Sequence, residues 1–204
     1  MDGLKLLGLV LVFTHFVASA IAVATILQTD LLLLKRYDEP LARRDVRKIH
    51  QAKPIVTAAL WVLWLTGLAI CTLGYFKNPD YLLNQKLMMK LLVVEILTLN
   101  GLFLHEVAFR HVKPGRVLAE ESPLTQRLLV LMGCLSSTSW LFACFLGIAR
   151  PLNNLSNFYE LLGFYLVILL GSVLAGWGLT YWLARRHEAR EAGESAFGMD
   201  AHHR

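Results

Sequence analysis

The sequence predicts an all-α fold, a polytopic membrane bundle of about five transmembrane helices with its N-terminus outside and its C-terminal tail in the cytoplasm. Three observations carry this expectation. Hydrophobic residues make up 56% and charged residues only 17% of the 204, with a mean hydropathy of +0.52. That is more apolar surface than a water-soluble domain of this length can hide. Apolar runs recur at about 6–34, 55–76, 88–109, 128–149 and 159–184. Each reaches the roughly 20 residues that cross a hydrocarbon core of about 30 Å, and none alternates like a barrel strand, so each reads as a helix. Finally, fifteen of the twenty Lys and Arg residues fall in the segment between the first two runs, the segment between the third and fourth, and the tail. Lys5, Lys77, Lys86 and Arg150 lie on the other side and Lys90 sits at the mouth of the third helix, which fixes the orientation by the positive-inside rule.

The first run contains Ala18-Ser19-Ala20, a small-residue triplet like a signal-peptide cleavage site, and cleavage would leave four helices. The apolar character nonetheless continues to Leu34 and into a basic flank, as in an uncleaved anchor. This run is longer than a bilayer is thick, so the first helix tilts or projects Leu31 to Arg36 into the cytoplasm. After Pro40, the stretch Leu41 to Ala52 is basic with apolar Leu41, Val46 and Ile49, which suits a short surface helix against anionic headgroups or else a solvated loop. Pro54 is expected to open the second helix, and Pro123, after Ser122, the fourth. Residues 1–186 form one bundle domain, and the charged segment 187–204 reads as a disordered cytoplasmic tail.

Small residues four apart, Ser139, Ala143 and Gly147 on the fourth helix and Gly171 with Ala175 or Ser172 with Gly176 on the fifth, mark faces where helices approach closely. Cys71, Cys134 and Cys144 lie inside apolar runs and read as small core residues, with neither a disulfide framework nor a CxxC pair. The basic excess tracks the loops, which argues against nucleic acid and makes the lipid bilayer the partner. Metal-ligand spacings, phosphate loops and nucleophile elbows are absent, so no catalytic residue can be named.

Polar groups in lipid cost free energy unless something offsets them, which makes His15, Glu95, Asn100, His105 and Glu106 the candidates, with Lys90 near the helix mouth. His15 lies near the middle of the first helix, with Ala18, Ser19 and Ala22 leaving space beside it; it either ligates a cofactor or bonds a neighbouring helix. On the third helix, Lys90, Glu95 and His105 share a broad face and Asn100 points away from it. His105 and Glu106 near the cytoplasmic end also fit a polar helix terminus. Two His on different helices can hold a haem iron, and His15 with His105 is the only intramembrane pair. Their depths differ by about 12 Å, so one His with another axial ligand is the easier arrangement.

The order of these features resembles the HemJ-type protoporphyrinogen oxidases and, more loosely, the CopD-type copper-resistance membrane proteins. The resemblance rests on His15, the basic stretch Arg43 to Lys48 leading into Pro54, Thr66-Gly67-Leu68, Lys90, and Ala149-Arg150-Pro151-Leu152. In the HemJ-type pattern the third-helix His falls where this chain has Gly101, with His105 on the next turn of the same face, and the fifth helix is an addition. The resemblance implies haem b and redox chemistry in the bacterial inner membrane. Two other readings stay open: a non-enzymatic subunit or assembly factor bound to a membrane-protein partner or to copies of itself, and a small transporter using Glu95 and Lys90. The topology is testable alone. Cysteines placed at Asn78 or Asn154 should react with an impermeant thiol reagent from outside, and cysteines at Ala42 or Ala119 should not.

Overall fold

The computed structural model describes residues 3–104, 106, 109–149 and 157–201, and among them the architecture is all-α. Five long helices follow one another: α1 (Gly3–Lys35), α2 (Arg43–Lys77), α3 (Gln85–Phe103), α4 (Pro123–Ile148) and α5 (Phe158–Ala201). Four of these, α1, α2, α4 and α5 as far as Arg190, are long and apolar enough to cross a membrane. The exception, α3, carries Lys86, Lys90 and Glu95 within 19 residues. Its path is still set by its neighbours. The Lys86 ammonium donates to the Ala149 carbonyl at the end of α4 (2.6 Å), and the Phe158 N–H at the start of α5 donates to the Gln85 side chain (2.6 Å). α3 therefore begins where α4 ends and runs antiparallel to it, back towards the end where α2 begins.

α2 differs from expectation. It is one continuous helix with Pro54 inside it, so Pro54 does not open a second helix. A proline in a helix interior costs about 3 kcal/mol, because it removes an N–H and crowds the carbonyl four residues before. Tertiary packing of the first turns offsets that cost: Leu41, Val46 and Ile49 are buried in a cluster with Val112, against Leu32 and Leu33 of α1. Buried Asp45 faces the Arg36 guanidinium (3.4 Å). The apolar residues expected to meet headgroups are covered by protein instead.

The connections at this end form a folded cap. Leu41 N–H donates to Arg116 carbonyl and Gly115 N–H to Leu41 carbonyl (both 2.9 Å), while Ala119 N–H donates to Tyr37 carbonyl (3.0 Å). Gly115 adopts φ +80°, a left-handed conformation that a side chain disfavours, which is why glycine makes this turn. The Gln126 amide donates to the carbonyls of Ala119 and Glu121 and accepts from Tyr37 hydroxyl (2.8 Å). Burial pushes the Tyr37 phenol above its ordinary pKa, an effect that the Thr180 hydroxyl beside it opposes. Ser122 caps α4, accepting from Thr125 N–H (3.2 Å). α5 runs unbroken to Ala201, so the segment from His187 expected as a disordered tail is helical through that residue, and Arg190 donates to Asp38 of the cap (3.1 Å).

Of the small-residue faces, Ser172 and Gly176 make the α4–α5 contact. A Cβ on Gly176 would lie 2.8 Å from Val130 Cγ1 and 2.9 Å from Cys134 Sγ, whereas Gly171 has nothing within 4 Å. Gly176→Val should therefore destabilise the bundle by about 1–3 kcal/mol through overpacking. Gly171→Val should change thermal unfolding in detergent far less.

Candidate functional site

The groups that bear chemistry sit along the seams between helices, and α4 is central, touching α1, α3 and α5. Its segment Ser136-Ser137-Thr138-Ser139 sends hydroxyls to several neighbours. Ser137 donates to the Asp30 carboxylate on α1, while Thr138 and Ser139 bond Ser172 (2.9 Å) and Tyr165 (2.8 Å) on α5. Ser139 already donates to Leu135 carbonyl (2.6 Å) and Ser172 to Leu169 carbonyl (2.9 Å). A hydroxyl has one proton, so these two accept from Tyr165 and Thr138 respectively.

The same accounting applies to His15. Its Nδ1 lies 2.8 Å from Thr66 Oγ1 on α2, and Thr66 Oγ1 lies 2.6 Å from Val62 carbonyl. With the Thr66 proton on that carbonyl, Nδ1 is the donor and Nε2 keeps its lone pair; with the proton on Nδ1, the tautomer is the other one. Gly67 flanks the ring, a Cβ there lying 3.5 Å from His15 Cε1. Lys90 and Cys71 approach the same seam, Lys90 lying within electrostatic reach of both His15 and Cys71. α3 joins it through Trp64, whose indole N–H donates to Thr98 (3.2 Å) while Thr98 donates to Val94 carbonyl (2.8 Å).

A haem b, which the resemblance implies, would be held by an imidazole whose second nitrogen meets an acceptor, and His15 Nδ1 lies against the Thr66 hydroxyl. The space expected for it is used otherwise. Ala18 and Ala22 are buried in the main core, and Ser19 hydroxyl meets Cys144 Sγ (3.1 Å) on α4. His15 itself is half-exposed, which leaves the outer side of the α1–α2 seam for a bound group. His105 lies outside the described residues. Among the described residues no three His, Cys, Asp or Glu side chains gather as a metal site.

On α3 the broad face expected to hold Lys90 and Glu95 is divided, with Lys90 half-buried and Glu95 exposed. Asn100 is buried and donates to Met132 carbonyl of α4 (3.1 Å), whereas Glu95, expected on the functional face, is exposed on the side away from the bundle. The inward face is set by Met89, Val93 and Leu97, which belong to the main core. Glu106 accepts from exposed Arg110 (2.8 Å), an ordinary pair one helical turn apart.

Asp30 was missing from the sequence-derived candidates. Its carboxylate faces α4 opposite Gly133, where a Cβ would lie 3.9 Å from Oδ1, with Ser137 as its donor. The readable signal was a carboxylate ahead of four leucines inside an apolar run. Ser137→Ala should cost about 1–3 kcal/mol by leaving a buried acceptor without its donor. Combining it with Asp30→Asn should recover part of that loss in thermal unfolding in detergent. No family model matches this chain, and no curated protein or solved structure is similar to it.

Proposed function

We propose that the chain is a five-span membrane protein, N-terminus out and C-terminal tail in, whose α1–α2 seam offers His15 Nε2 to the iron of a haem b. The observation that carries this reading is the 2.8 Å contact of His15 Nδ1 with Thr66 Oγ1: with the Thr66 proton on Val62 carbonyl, Thr66 accepts from Nδ1–H and Nε2 is the lone-pair nitrogen. Such an acceptor on the far nitrogen orients a ligating imidazole and raises its basicity. The haem would supply one-electron redox chemistry, and this chain would supply the ligand, its orientation and a seam poor in water. The bacterial inner membrane and the redox role rest on the resemblance of His15, Thr66-Gly67-Leu68 and Lys90 to the HemJ-type pattern.

The test is an absorption spectrum of detergent-purified protein supplied with haem. A Soret band should form and disappear in His15→Ala, while Thr66→Val should weaken haem affinity roughly 10- to 100-fold without unfolding the bundle. A protein that forms no Soret band, or one whose band survives His15→Ala unchanged, would remove this reading.

A further inference from the structure

The polar side chains of α3 find different surroundings. Lys86 is tied to Ala149 carbonyl, Asn100 to Met132 carbonyl and Thr98 to Trp64, and Lys90 is half-buried in the seam near His15. Glu95 has no hydrogen bond or ion pair among the described residues and faces outward. It stands about 15 Å along the axis from Gln85 and about 12 Å from Phe103, near the middle of the helix. Around it the same outward face is apolar: Met88, Leu91, Leu99 and Leu102 are all exposed. With α3 as one of the spans, which rests on the five-span reading proposed above, the helix presents one carboxylate at mid-depth inside an exposed apolar stripe. Such a group is costly in lipid, and intramembrane charges are ordinarily paired with one another or turned towards a protein interior.

We infer that this α3 face is a docking surface for a transmembrane helix of a partner protein, one that is apolar except for an Arg or Lys at the depth of Glu95. Charge selects the occupant. Lipid tails cannot satisfy the carboxylate, and headgroups lie too far along the axis. A second copy packed in parallel about a two-fold axis would set Glu95 against its own equivalent at the same depth, a like-charge contact. The cation nearest in sequence, Lys90, is five residues away and about 140° around the helix, so it cannot turn to the same face in either copy. A cationic side chain on an otherwise apolar helix meets both requirements, closing the Leu stripe by packing and pairing the carboxylate.

This inference is independent of what His15 ligates. Its test uses the purified full-length protein in phosphatidylcholine vesicles, with synthetic Trp-free polyleucine helices that carry an energy acceptor for the protein's own tryptophans. A helix with one central Arg should associate roughly three- to twentyfold more tightly than the all-Leu helix, the range expected of single polar contacts between membrane helices. Glu95→Leu should reduce the Arg helix to the all-Leu level, and an Arg placed two turns from the centre should lose the advantage. Glu95 is exposed, so unchanged circular dichroism and thermal unfolding would show that the variant folds. Equal binding of the two helices, or an advantage that survives Glu95→Leu, would overturn the inference. So would Glu95→Leu converting dimers to monomers with no added helix, since the occupant would then be a second copy. The haem spectrum should not change in Glu95→Leu.

Discussion

A hydroxyl carries one proton, and in an environment without water that proton is spent on the nearest carbonyl. Thr66, Thr98, Ser139 and Ser172 each donate to a carbonyl three or four residues earlier in their own helix. Each is then left with acceptor capacity only, and each meets a donor from another helix: His15, Trp64, Tyr165 and Thr138. This constraint gives direction to four cross-helix bonds and joins α1 to α2, α2 to α3 and α4 to α5. At His15 the tautomer is tied to how Thr66 uses its own proton.

Two hydroxyls of α4 instead keep their protons for another helix: Ser137 donates to Asp30 on α1 and Thr138 to Ser172 on α5, while the next residue, Ser139, accepts from Tyr165. Successive positions of a helix point about 100° apart, so a short Ser-Ser-Thr-Ser segment can address neighbours on several sides. In lipid the hydrophobic effect does little to draw helices together, which makes such bonds and the close approach at Gly176 the specific elements of the assembly.

Much of the fold was readable from length and charge. Backbone groups in lipid require helices of bilayer length, and the basic loops alternate, so the number and order of the long helices follow directly. The course of α2 was not readable, because the expected break at Pro54 depends on local preference, whereas the helix is maintained by Val46 and Ile49 packing on distant Leu32, Leu33 and Val112. The same separation in sequence hid the cap. On α3 the angular spacing of Lys90, Glu95 and Asn100 was correct, but angles alone do not say which side faces inward. Grouping the polar residues put Lys90 and Glu95 on one broad face without saying which way it turns, and Met89, Val93 and Leu97 define the buried side, which leaves Glu95 outside it. In a membrane, hydrophobicity cannot separate the two sides, since lipid and core are equally apolar. Packing volume can.

Polar residues in the bundle can be ranked by what remains after their internal bonds are counted. Asn100, Asp30 and Lys86 each have a protein partner, and the need for one explains their presence without a ligand. His15 has one nitrogen engaged and one left over, and Glu95 is engaged with nothing among the described residues. Leftover capacity is costly in hydrocarbon, which is why the proposals made for these two groups each supply an outside partner. The two groups lie on different helices: His15 on α1, half-exposed at the seam with α2, and Glu95 on the exposed face of α3. A protein with both would hold its cofactor in one place and its partner in another, so that losing either should leave the other intact.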